Sequence, residues 1–134
     1  MEEREVRDLL KRMLTDLDPA FGYEVHHQKF TADMPQSGER LSRDNLRAMQ
    51  ENYPNPPTFQ LRRVVGAGDV WVVEALGDYS GKLYHMVMIV EFRDSKIWKE
   101  TRYYALPAPR RGSGSRAPPQ GDPQTGDCER FDGR

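Results

Sequence analysis

A single cysteine, Cys128, means that no internal disulfide can form, and a lone thiol points to a reducing compartment. No apolar run approaches the roughly 20 residues that a bilayer span needs, which leaves no reason to expect a membrane partner. Neither charge sign is in excess. Lys and Arg number 20 against 21 Asp and Glu, a formal net charge of -1, so nothing general favours nucleic acid or an anionic surface. The opening MEEREVRDLL is acidic and lacks the apolar centre of a secretory signal. The cytoplasm is therefore the expected location. The stretch GAGD at 66–69 reads as a turn, without the third glycine or following helix of a phosphate loop, and no cofactor is expected.

What is present is a soluble globular composition, 37% hydrophobic and 31% charged over 134 residues, enough for one domain with a real core. The composition changes after Pro107. Residues 108–134 hold five glycines and four prolines with almost nothing to bury, and such a segment cannot offset its ordering entropy. The expected division is a folded domain over 1–107 and a disordered Gly/Pro/Arg-rich tail over 108–134.

Within 1–107, Val6, Leu9, Leu10, Met13, Leu14 and Leu17 recur at helical period and predict an amphipathic helix over 3–17. Asp18-Pro19 suits an N-cap followed by proline at the first helical position, opening a short second helix or turn through Phe21 and Tyr23. KFTADM at 29–34 reads as extended. Ser42 can cap a third helix that carries Leu46 and Met49 inward and stops at YPNPP. Four stretches rich in β-branched and aromatic residues follow: TFQLRRVVG, DVWVVEALGDY, KLYHMVMIVEF and KIWKETRYYAL. Each is longer than a common strand, so the sheet should be strongly curved. Helices first and an antiparallel meander after give an α+β domain with helices on one face of a bent sheet.

Two motifs then narrow the reading. FTADMPQSGERLSRDNLRAMQENYP carries a Pro-x-Ser-Gly-Glu-Arg turn leading into a helix, and VEFRDSKIWKETRYYALP carries a Glu-Phe-x-Asp-x-Lys-Ile hairpin with an aromatic last strand. Together with the element order, they resemble the SnoaL-like branch of the nuclear transport factor 2-like superfamily, with Ser95 where that family usually has glycine. The resemblance implies a cone-shaped half-barrel whose helices close a hydrophobic pocket over the concave sheet. Relatives include ketosteroid isomerases, limonene epoxide hydrolases and polyketide cyclases, alongside members that only bind.

The enzymes' acids are absent at the matching positions. The isomerases keep a proton-shuttling carboxylate before the turn proline, where this chain has Met34. The other acid positions of the isomerases and epoxide hydrolases match Met88, Val90 and Arg102. What the resemblance leaves is a different lining: Tyr84, Met86, Met88, Val90 and Phe92 facing inward, with Met34, and Pro35, Glu39 and Arg40 at the rim. A bulge after Ile97, expected from the family, would turn Glu100, Arg102 and Tyr104 towards the same cavity. Without it, those three would share the convex face with His85, Val87 and Ile89. Glu100, His85 and Tyr104 are the candidates for proton transfer, with His85 and Tyr104 as cross-strand neighbours in a simple register.

Bland alternatives stand beside these. Glu100 and Arg102 can be a structural ion pair, Glu39 and Arg40 a salt bridge that pins the turn, and His85 a partly buried, hydrogen-bonded residue. His26-His27 beside Glu24 looks like a ligand cluster, but adjacent side chains on a helix diverge by about 100° and no third ligand is spaced to help, so no metal is expected. The expected function is binding of a small apolar, carbonyl-bearing molecule by a dimer formed through the sheet, with or without isomerase-, cyclase- or dehydratase-type proton transfer. The alternative is a non-catalytic dimeric binding or interaction module.

Overall fold

The computed structural model describes residues 1–107, and the tail expected at 108–134 lies outside the described residues. Three helices come first: α1 (Glu3–Asp16), α2 (Pro19–Val25) and, after two strands, α3 (Arg43–Glu51). The strands are β1 (His26–Met34), β2 (Glu39–Ser42), β3 (Thr58–Ala67), β4 (Val70–Tyr79), β5 (Lys82–Arg93) and β6 (Lys96–Ala105). They form one sheet in the order β2-β1-β6-β5-β4-β3, antiparallel throughout except for the β1–β6 pair. The architecture is α+β, helices on a mainly antiparallel sheet that does not close.

Local chemistry sets the boundaries. The Asp18 side chain accepts from Ala20 N, with Pro19 at the first position of α2. The Ser42 hydroxyl accepts from Asn45 N and starts α3, satisfying one of the amides that a helix start leaves unpaired. Leu17 ends α1 in the left-handed conformation. The turn after Met34 folds back through the amides of Ser37 and Gly38, both donating to Met34 O, with Gly38 at φ 77°. It closes a β1–β2 hairpin, so the segment read only as a turn supplies an edge strand.

Strand alternation places the core. On β4 the buried side is Trp71, Val73 and Ala75, and on β5 it is Met86, Met88, Val90 and Phe92. These meet Val6, Leu10, Met13 and Leu14 of α1, Phe30 and Ala32 of β1, and Leu46 of α3. Met49, expected inward, shares the face of Leu46 but is 41% exposed, at the open end of that face.

The β5–β6 hairpin decides the rest. Arg93 pairs with Lys96 and Phe92 with Ile97, but Glu91 pairs with Lys99, so Trp98 is an extra residue. A one-residue slip exchanges the two faces of everything beyond it. Asp94 and Ser95 make the turn, both left-handed at φ 55° and 62°. Ser95 thus adopts the conformation that glycine takes without cost.

Candidate functional site

Beyond the bulge, Glu100, Arg102 and Tyr104 face the concave side, where Glu100 has no solvent exposure and Arg102 is 12% exposed. The Arg102 guanidinium donates to Glu100 Oε1 twice, from Nε at 3.0 Å and Nη2 at 2.8 Å, and its Nη1 lies 3.5 Å from the Tyr104 hydroxyl. The other carboxylate oxygen, Oε2, faces His26 Nε2 at 3.6 Å. Among the described residues, neither of those two buried atoms has a hydrogen-bond partner. His26 begins β1 and stacks on Phe30, with centroids 3.8 Å apart and planes 12° from parallel. It is 5% exposed.

Burial works to raise the Glu100 carboxyl, but the Arg102 guanidinium and the His26 ring outweigh it and hold it well below the usual carboxylate range. Burial likewise disfavours the Arg102 cation, and Glu100 more than compensates. The pair is therefore ionised. Burial and the neighbouring Tyr104 raise the Tyr79 hydroxyl well above its ordinary range, so it stays protonated and able to donate.

This cluster forms part of the wall of a cavity of about 180 Å³. Met13, Leu14 and Leu17 from the end of α1 line it, with Leu46 and Met49 of α3, Met34 of β1, Pro56 and Pro57, and Phe59 and Tyr79 from the outer strands. Exposed lining residues Asp18, Glu39, Met49 and Tyr53 mark its mouth. The walls are apolar, and the buried polar groups gather around Arg102. Tyr104 is fixed at both ends of its peptide unit. Gln36 Nε2 donates to its carbonyl at 2.8 Å, and its amide donates to Gln36 Oε1 at 2.7 Å. The side-chain amide thus continues the β1–β6 ladder past Asp33–Thr101, the last backbone pair.

Several expected site residues sit elsewhere. His85 is exposed on the convex face and pairs with Ala105, while Tyr104 pairs with Met86. The slip at Trp98 that turns Glu100, Arg102 and Tyr104 inward also moves Tyr104 out of register with His85. Met86, Met88, Val90 and Phe92 face the concave side but pack in the core and do not line the cavity. Tyr84 lies edge-on to Tyr79 and Tyr104, behind the lining. At the rim, Glu39 lines the mouth, whereas Pro35 and Arg40 do not. Arg40 pairs with Asp33, its cross-strand neighbour, at 2.6 Å rather than with Glu39.

Sequence reasoning weighed His26 only as a metal ligand on a helix, and it passed over Gln36 and Tyr79. The two histidines are on a strand rather than a helix, so they point to opposite sides, with His26 inward and His27 towards Asp94 at 3.6 Å. Nothing distinguishes Gln36 in the sequence. Among the described residues, no three His, Cys, Asp or Glu side chains gather as a metal ion requires, and no helix is long and apolar enough to cross a membrane.

This architecture has solved counterparts. An NTF2-like protein of unknown function from Burkholderia xenovorans is 30% identical, with 87% of this chain and 98% of that one covered at a TM-score of 0.74. The chain belongs to the NTF2-like family. Two more distant neighbours share the fold. One, proposed to be a ketosteroid isomerase, from Kribbella flavida, is 16% identical over 90% of this chain and 95% of that one, at a TM-score of 0.70. The other is IdmH of Streptomyces antibioticus, proposed to be a polyketide cyclase, 12% identical over 73% of this chain and 90% of that one, at a TM-score of 0.61. No family model matches the sequence, and no curated protein does.

Proposed function

We propose that this NTF2-like protein binds a small, largely apolar molecule through one oxygen acceptor, held by the spare N–H groups of Arg102 and by the Tyr104 hydroxyl. The observation that carries the reading is an ionised, buried Glu100–Arg102 pair in the wall of an otherwise apolar cavity. Two guanidinium N–H groups are committed to Glu100, and the guanidinium has five to give. The volume limits the ligand. An apolar cavity of about 150 Å³ holds benzene, so about 180 Å³ admits one ring with a short polar substituent.

Binding is favoured over proton transfer. A carboxylate held ionised by an arginine is a weak base, and a general base needs an affinity for protons near the working pH. His85 is on the other face of the sheet. Of the three candidate actors, Tyr104 alone is left as a proton donor at the cavity.

A homodimer through the convex face belongs to the same proposal. Val65, Val70, Leu83 and Tyr103 are exposed apolar side chains there, which a second copy would cover. Sedimentation of the full chain tests it. With one cysteine and a nearly neutral charge, we place the protein in the cytoplasm.

A melting screen with neutral monocyclic ligands tests the binding reading, with acetophenone as the first probe. Saturation at 100 times Kd would stabilise the fold by about 2.7 kcal/mol, a clear rise in Tm, and Arg102→Met should abolish the rise. No shift with any neutral oxygen-bearing ring compound would sink the proposal.

A further inference from the structure

The cavity reading leaves a buried histidine unused. His26 Nε2 and Glu100 Oε2 face each other at 3.6 Å, and among the described residues each is without another partner. The Glu100 and Arg102 charges cancel. A neutral carbonyl fits that arrangement. A carboxylate would leave two anions sharing one guanidinium, and an uncompensated buried charge costs several kcal/mol.

We infer that the site also takes a monocyclic carboxylate, and that the anion is bound together with one proton, which His26 accepts. This inference rests on the binding reading above. Protonated His26 then donates from Nε2 to Glu100 Oε2, so both unpartnered atoms become a charge-assisted hydrogen bond. Arg102 keeps Oε1 through Nε and turns its Nη groups to the ligand carboxylate, matching its planar fork. The net charge is the same before and after. No covalent bond to the ligand changes, and the proton comes from solvent.

Other charged groups surround His26. On β6 these are Glu100 and Arg102, and at the mouth Asp18 and Glu39. On the far side of the ring a second recess is lined by His27, Arg43, Asp94 and Lys96. Asp18, Glu39, Asp94 and Lys96 are exposed and interact through screened solvent. Glu100 is the titratable carboxylate buried with His26, and Arg102 already occupies its other oxygen.

Calorimetry of the full-length protein with benzoate and acetophenone, each in buffers of differing ionisation enthalpy at pH 6 to 8.5, tests this. Benzoate should bind with uptake approaching one proton in the upper half of that range. Where uptake is complete, its affinity should fall about tenfold per pH unit, as proton linkage requires. Acetophenone should bind without uptake. His26→Asn should remove the uptake and weaken benzoate far more than acetophenone. Because a buried substitution can impair folding, Glu100→Gln gives an independent reading: benzoate should then bind with no proton taken up, against Arg102 alone. If acetophenone binds but benzoate does not, or benzoate binds wild type with no proton uptake, the inference is overturned and the binding reading stands. If neither binds, both fall.

Discussion

β5 and β6 are neighbours in one sheet and turn alternate residues to the same concave side, yet they use that side in opposite ways. β5 presents Met86, Met88, Val90 and Phe92, all packed in the core. β6 presents Glu100, Arg102 and Tyr104 to a cavity. The difference follows what lies above each strand. Val6 and Leu10 of α1 join the core with the β5 residues, whereas Met13, Leu14 and Leu17, further along the helix, line the cavity with the β6 residues. A strand covered by apolar side chains must itself be apolar. One that faces a cavity can keep charges, provided they satisfy each other.

The largest effect should come from one residue inserted between Lys99 and Glu100. Trp98 is already the one extra residue of the hairpin, so a second slips the rest of β6 by one and sends Glu100, Arg102 and Tyr104 to the convex side, bringing Thr101 and Tyr103 into their place. Cooperative unfolding should be lost, and a folded insertion variant with intact ligand binding would contradict the role of the register. Next in size is Glu100→Ala, which strands the Arg102 charge and should cost about 3–5 kcal/mol in denaturant unfolding. The double variant Glu100→Leu/Arg102→Met should recover most of that loss, because a hydrophobic pair can replace a buried ion pair, while abolishing binding at the cavity. Recovery of binding along with stability would show that the charges serve only the fold. On β5, Met88→Ala should cost about 2–5 kcal/mol through its cavity, and no second truncation on that strand should restore it.

Acid gives a further separation. Glu100 is held below the ordinary glutamate range in the folded chain, so the unfolded chain takes the proton first. Its stabilisation is complete above about pH 4.3, the unfolded value, and drains as pH falls through the lower folded value. Unfolding midpoints measured from pH 5 downward should show this loss in wild type and lack that component in the double variant. The smallest effect belongs to the turn joining the two strands. Ser95→Gly should relieve a left-handed serine and raise stability by about 1 kcal/mol, with no change in ligand binding. A loss of stability would mean that the Asp94-Ser95 turn has partners beyond its backbone.

Much of this was legible in the chain. The apolar stripe of α1, the Asp18 and Ser42 caps and the four long strands follow from periodicity and local hydrogen bonding, which act over a few residues. The site was legible only in part. Glu100, Arg102 and Tyr104 were identified as a group, because their spacing and the expected bulge go together. Placing His85 beside Tyr104 applied the unslipped register, which the same bulge excludes. The pairings of His26 and Gln36 went unread because their partners, Glu100 and Tyr104, lie 74 and 68 residues away in the chain.

Residue order alone carries the α+β class, the curved meander, the absence of an acid at Met34 and the presence of a Glu-Arg-Tyr series on the last strand. These depend on residue type and on periods of two or three to four. Tertiary structure alone decided which of those residues meet. A one-residue slip at Trp98 chose the face of β6, the end of α1 left room above it, and the start of β1 brought His26 to Glu100. None of these has a local signature, because each is set by the packing of elements distant in the chain.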